Sequence, residues 1–293
     1  MPEYLTPGVY IEETSFRSRS IEGVPTSTFG MAGLTRYGPV PYVVPRPNPL
    51  PPVVMVSRPT LITSLTEFER AFGGLDLVGA AGLEDRVNYL GYAARAFFDN
   101  GGRRLYVSRV FPFTVDASGA IDFTKNFASL PVGAPPAATW RARWPGEAGN
   151  EISVQVGFVR SKNVIIGGVL TGVTPGAAVE VGTAPATPPK DTDLPKVPDI
   201  RIVAKNPTGK LGFQGPGGAF VEVGATAAAF HITLTVSVRL GQDRLDTYSG
   251  LELHADHPRS VSRVLQAEQP TDEFSLVWLD MPAAATPAVL GQL

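Results

Sequence analysis

The most regular pattern in the chain is the run Phe230-His-Ile-Thr-Leu-Thr-Val-Ser-Val-Arg-Leu240, in which six apolar side chains alternate with five polar ones. A period of two puts all six on one face of a strand and predicts a sheet with one buried and one solvated side. Shorter alternation marks Ile152, Val154, Val156 and Phe158, and Val164 to Leu170 is a further apolar run. Helical spacing occurs nearer the front. Ser64 and Glu67 have capping-box spacing ahead of a helix that turns Leu65, Phe68 and Phe72 inward and stops at Gly73-Gly74. Val87, Leu90, Ala94, Phe97 and Phe98 mark a second helix, from about Glu84 to Asn100-Gly101-Gly102. A strand over Leu105–Val110 follows it. Residues 24–35 read as a buried strand rich in small residues. Strand, helix, helix, strand is the order of a small α/β unit with parallel neighbours.

The first residues read as an arm. Val9 and Ile11 alternate with Tyr10 and Glu12 after the turn signal Pro7-Gly8, but the next segment, Arg17-Ser-Arg-Ser20, offers no hairpin partner. A lone strand is not stable by itself, so this one must pair with distant chain or with another molecule. Eight of the 21 residues from Pro39 to Pro59 are proline, which predicts an extended surface loop. Pro131 to Ala138 reads as a linker, and residues 183–198 as an exposed proline-rich loop. The expected organisation is therefore an arm over 1–22, an α/β portion over 23–130 containing the loop 39–59, a β-rich portion over 131–275 containing the loop 183–198, and an Ala/Pro-rich tail over 276–293. The fold class is mixed α+β.

Composition narrows the chemistry. The 293 residues are 43% hydrophobic, enough for a sizeable core, while 31 glycines and 28 prolines point to many turns. A net charge of −2 provides no basic field for nucleic acid and little electrostatic resistance to self-association. With no cysteine, disulfides, zinc-thiolate sites, iron–sulfur clusters and cysteine nucleophiles are excluded. No secretory signal or apolar stretch of about 18 residues is visible, so no membrane insertion is expected.

Catalytic motifs are missing too. Thr208-Gly-Lys-Leu211 lacks the first glycine and the final hydroxyl of a phosphate-binding loop, and no G-x-S-x-G, H-E-x-x-H or post-strand G-x-G-x-x-G occurs. The best metal-like cluster is Glu252, His254, Asp256 and His257, but Pro258 disfavours the helix that would align the two histidines, so a hydrated loop fits better. Trp140-Arg-Ala-Arg-Trp144 interleaves aromatic and basic residues; on a strand it places the tryptophans in a core and the arginines at the surface or in an interface. Arg103, Arg104 and Arg109 read as solvated or interface ion-pair positions, and Asp99 as part of a helix C-terminus. The expectation is a non-enzyme with no catalytic, cofactor-binding or metal residues and no cofactor.

Tyr4-Leu-Thr-Pro-Gly-Val-Tyr-Ile-Glu-Glu13 resembles the N-terminus of contractile tail sheath proteins, as does Ile21-Glu-Gly-Val-Pro-Thr-Ser-Thr28 with Gly30-Met-Ala-Gly33. In order along the chain, Ala93–Gly102 with Leu105–Val110, Trp144–Asn150 with Ile152–Val156, Asp246–Leu251 and Asp256–Leu265 look like later segments of the same family. The family comprises sheaths of phage tails, tailocins and extracellular injection systems, assembled in the bacterial cytoplasm.

The resemblance implies a subunit of a helical tube that surrounds an inner tube and shortens to drive it through an envelope. It implies an arm, with Tyr4, Leu5, Val9, Tyr10, Ile11, Glu12 and Glu13, that adds a strand to a neighbour's sheet, and it makes 131–275 an insertion domain. The implied partners are further copies of the chain, an inner tube protein, and baseplate and tail-terminator proteins. The family's C-terminal α/β part is absent from this sequence, which is expected to be either the front of a longer chain or a shortened relative. Two other functions remain to be separated from this one: a decoration or receptor-binding module, and a glycan or cell-wall hydrolase using Glu252 and Asp256.

Overall fold

The computed structural model describes residues 27–41, 58–80, 83–133, 138–183, 195–215, 218–224, 227–242 and 244–281. It is a mixed α+β fold, rich in strand and made of several sheets. The first unit runs through β1 (Thr28–Gly33), β2 (Thr60–Ile62), α1 (Leu65–Phe72), β3 (Val78–Ala80), β4 (Leu83–Arg86), α2 (Tyr89–Asp99) and β5 (Arg104–Arg109). β5 is the middle of a three-stranded sheet, parallel to β1 and antiparallel to β2. The helices cover one face of it. Phe68 and Phe72 of α1 are buried with Ile62, Leu90, Ala94, Leu105 and Val107, each phenyl ring contributing about 1.5–3 kcal/mol of transfer free energy.

α1 starts where its cap predicts. The Ser64 hydroxyl accepts from Glu67 N at 3.2 Å, while the Glu67 carboxylate reaches one residue further back than a capping box requires, to Thr63 N at 2.7 Å. α2 begins later than its periodicity suggests. Residues 83–86 pair with β3, and Asn88 caps the helix by accepting from Gly91 N while donating to Gly74 O. Val87 thus falls outside the helix and is exposed.

β1 differs most from expectation. Its residues are exposed or half-buried rather than buried, because β5 occupies one edge and the helices reach only one face.

The chain continues through α3 (Phe123–Asn126), β6 (Ser129–Val132), β7 (Ala138–Ala142), β8 (Ile152–Asn163), β9 (Ile165–Ile166), β10 (Val169–Leu170), β11 (Ala178–Thr183), β12 (Ile200–Lys205), β13 (Leu211–Gln214), β14 (Phe220–Val221), β15 (Ala227–Leu240), β16 (Arg244–Leu251), α4 (Val261–Val264) and β17 (Val277–Asp280). β15 is the spine of a seven-stranded antiparallel sheet. β8 lies along one side of it, and β11 and then β16 share the other; β12, β13 and β14 extend outward from β11. The alternating residues Phe230, Ile232, Leu234, Val236, Val238 and Leu240 are all buried, as their period requires. The apolar run after β8 is a hairpin, β9 to β10, turning on Gly167 and Gly168; their φ values of 59° and 76° are what a two-residue hairpin turn needs.

β6, β7 and β17 form a separate antiparallel sheet. The division drawn between 130 and 131 thus falls inside β6, with Pro131 on an edge strand where its missing N–H is tolerated. Residues 277–280, placed at the front of a tail, pair with β7. Pro39 and Val40 are buried, Val40 among Phe111, Phe113, Ile121, Phe123 and Phe127, instead of lying on a surface loop. Residues 42–57 and 184–194 of the two proline-rich segments lie outside the described residues.

Candidate assembly surface

The arm residues Tyr4, Leu5, Val9, Tyr10, Ile11, Glu12 and Glu13 lie outside the described residues. The other sequence candidates have definite places. The metal-like cluster is split. Glu252 turns inward, 3% exposed, and its Oε1 lies 2.6 Å from Nε2 of His231 on β15. Asp256 is exposed beside His254, and His257 Nε2 lies 2.9 Å from the Thr174 hydroxyl. Among the described residues no group of three or more His, Asp or Glu side chains is placed to hold a metal ion, and no helix is long and apolar enough to cross a membrane.

Trp140 and Ala142 are buried on one side of β7, and Arg141 on the other pairs with Asp280 at 2.9 Å. Arg143 is neither surface nor ion-paired at contact distance: it is buried and donates to Gln266 O. Burial lowers its guanidinium to about 10, with Asp272 opposing that shift. Arg103 and Arg104 are exposed, as expected. Arg109 is not. It is 2% exposed and donates to the carbonyls of Gly38 and Pro145, fastening two loops below the sheet. Asp99 is exposed near the end of α2, 3.6 Å from Arg95 one turn earlier.

The strongest functional geometry was not a sequence candidate. It is the outer surface of β1. Register pairs Phe29, Met31 and Gly33 with Leu105, Val107 and Arg109 on the helix side, and Thr28, Gly30 and Ala32 with Arg104, Tyr106 and Ser108 on the opposite side. On that opposite side Thr28, Gly30, Ala32, Arg104 and Leu61 are exposed. Among the described residues β1 has a strand partner along one edge alone. Beside it runs a groove of about 550 Å³, walled by Phe29, Met31, Val78, Val87, Tyr89 and Leu90. Phe29 is 55% and Tyr89 77% exposed despite their size. A parallel strand pair is normally covered on both faces, since its crossover connections pack there; here, among the described residues, one face and one edge are uncovered. Clustered exposed aromatic and aliphatic side chains beside an open strand edge are the physical signature of a protein–protein contact.

A second concavity, about 470 Å³, lies where α1 meets β15 and β16. Its arginines are all paired. Arg36 pairs with Asp76 and Glu151, Arg70 with Asp272, and Arg244 with Asp246. Burial pushes both Tyr37 and Tyr248 above the usual phenol value. Paired arginines and held phenols make this a structural seam between the two units.

No protein-family model matches the chain, and no curated protein matches it either.

Proposed function

We propose that the protein is a structural subunit of a contractile sheath, one that polymerises helically around an inner tube and shortens to drive that tube through a target envelope. The observation that carries this reading is the face and edge of the parallel β1–β5 pair that the described residues leave uncovered, a surface suited to burial against another polypeptide. The sequence resemblance, the low net charge and the orphan strand around Val9 and Ile11 support it. In this mechanism rigid subunits turn about exchanged arms and repack. A difference of roughly a few kcal/mol per subunit suffices, because it sums along the tube. Contacts of this kind are head-to-tail and need not close, so they build an open helix.

The test is concentration-dependent assembly of the full chain, followed by sedimentation and negative-stain imaging. Tubes are expected for the wild type. Val9→Asp and Ile11→Asp are expected to abolish them without changing the circular dichroism spectrum. Tubes that persist in both variants overturn the arm's role, and a chain that stays monomeric at every concentration with its natural partners overturns the sheath reading. Exposed Ile166 and Val169 on the β9–β10 hairpin favour a second reading, a surface-contact module on a particle; that reading predicts binding to a particle without self-assembly.

A further inference from the structure

The seam between the two units is crossed by a short segment, residues 272–274, whose contacts run in both directions. The Asp272 carboxylate accepts from Arg70 Nη2 of α1 at 2.6 Å and from the Tyr248 hydroxyl of β16 at 2.9 Å. Its other oxygen accepts from Phe274 N at 3.2 Å, folding the segment back on itself. Arg244 of β16 then holds the carbonyl of Phe274 at 2.7 Å and also donates to the carbonyl of Arg70. With its backbone fixed in this way, Phe274 places its ring in the apolar cluster of the first unit, with Phe68, Phe72 and Leu105. Tyr37 makes the reciprocal contact: it belongs to the first unit's connection and is buried in the cluster of the second.

We propose that residues 272–274 are a latch between the α/β unit and the β-rich unit, in which the charge of Asp272 holds the ring of Phe274 in place. Every element around Asp272 supplies a charged or titratable group: Arg70 from α1, Tyr248, Asp246 and Arg244 from β16, and Arg143 after β7. Arg143 makes the catch more sensitive. It is buried without a carboxylate in contact, and the nearby charge of Asp272 opposes the loss of its own. Neutralising Asp272 therefore removes a partner from Arg70 and the compensation from Arg143 together. Each unit keeps an apolar cluster of its own, so release frees the units from one another before either melts. The proposal rests on this geometry and is independent of the sheath reading.

Hydrogen exchange read by mass spectrometry on the full chain tests it. In Asp272→Asn, which keeps the shape and removes the charge, amides of residues 70–73 and 271–276 are expected to exchange about tenfold faster, matching loss of a charge-assisted hydrogen bond. Those of β5 and β15 are expected not to change. Unchanged exchange at the seam overturns the proposal, and so does a uniform rise that includes β5 and β15. Should Asp272→Asn fail to fold, Arg70→Gln breaks the same ion pair from a half-exposed side chain and carries the same two outcomes. Arg36→Gln is the control, since it cuts a different bridge over the seam, to Glu151. It is expected to leave 271–276 unchanged, and an equal loosening there overturns a latch located at 272–274.

Discussion

Arg160 on β8 and Glu180 on β11 reach each other over the strand between them, Nε to Oε2 at 2.7 Å, with both side chains more than nine-tenths buried. Their register partners on β15 are Ile232 and Phe230, so the pair lies on the apolar face of the sheet. The other carboxylate oxygen accepts from Lys196 N, which ties the segment ahead of β12 to the same point. Deleting one member of a buried pair strands charge in the core, at a typical cost of about 3–5 kcal/mol. Glu180→Ala is expected to lose about that much, read from the urea unfolding midpoint. Arg160→Met combined with Glu180→Leu is expected to lose less than the single change.

Gly38 sets the turn that brings Val40 inward. Its φ is +117°, and an added Cβ would sit 2.4 Å from the carbonyl oxygen of Ala71 and 2.6 Å from the Phe72 ring. Neither backbone nor a fully buried ring can yield cheaply. Gly38→Ala is expected to cost at least about 1–3 kcal/mol, from strained backbone and the clash together. Thermal unfolding checks this, with Gly74→Ala, where an added Cβ meets nothing within 4 Å, as the benign comparison.

Alkaline pH should weaken the seam. Burial raises Tyr37 and Tyr248 above the phenol value of 10.0 that they recover on unfolding. A group raised in the folded state gives stability that is whole below its unfolded value and is lost as pH rises through the folded one. Arg143, lowered to about 10 by burial, offsets part of the loss above that pH. Tyr37 and Tyr248 are expected to ionise above the ordinary phenol value in a titration at 295 nm, with stability falling as pH rises past 10.

The groove beside the open edge of β1 separates folding from assembly. Phe29 is 55% exposed, with its ring 6.3 Å from that of Phe97 at the rim of the groove. Phe29→Asp is expected to change stability by less than about 1 kcal/mol, as for a surface position, and to abolish assembly. Differential scanning calorimetry and sedimentation of the same sample measure both. Assembly at the wild-type concentration would show that this groove is not a contact.

Local pattern made much of the scaffold legible. The six apolar residues of β15, the buried phenylalanines of α1 and its Ser64 cap all follow from spacing alone. The start of α2 did not, because Asn88 is held by Gly74, a partner fourteen residues away. Burial of Arg109, Arg160 and Glu252 was equally hidden, since their partners lie far off in sequence. β1 misled for a different reason. A strand of glycine, alanine and methionine looks the same whether it is to be covered by its own chain or by another, so composition marked it as apolar but not as an outer surface. Of the candidate surface, only the orphan arm was read from sequence, and it lies outside the described residues.

The long pairing of β8 with β15 bears on how such a protein diversifies. Asn163 stands opposite Phe230 in register, and its side-chain oxygen accepts from the backbone N–H groups of both Ile165 and Ala229, the first steps outward and the last steps back. Everything between leaves and rejoins this strand pair at neighbouring points; part of it packs on a small core around Val173, Val203 and Phe213, while Ala178, Ile200 and Ile202 join the main cluster and Glu180 pairs with Arg160. A two-residue turn could close that gap, and so could a foreign domain whose ends lie about 5 Å apart. The outer lobe is thus a graft site for natural variation or an engineer, on the condition that the replacement sets a strand with a carboxylate for Arg160 beside β15, or that Arg160 is replaced with it.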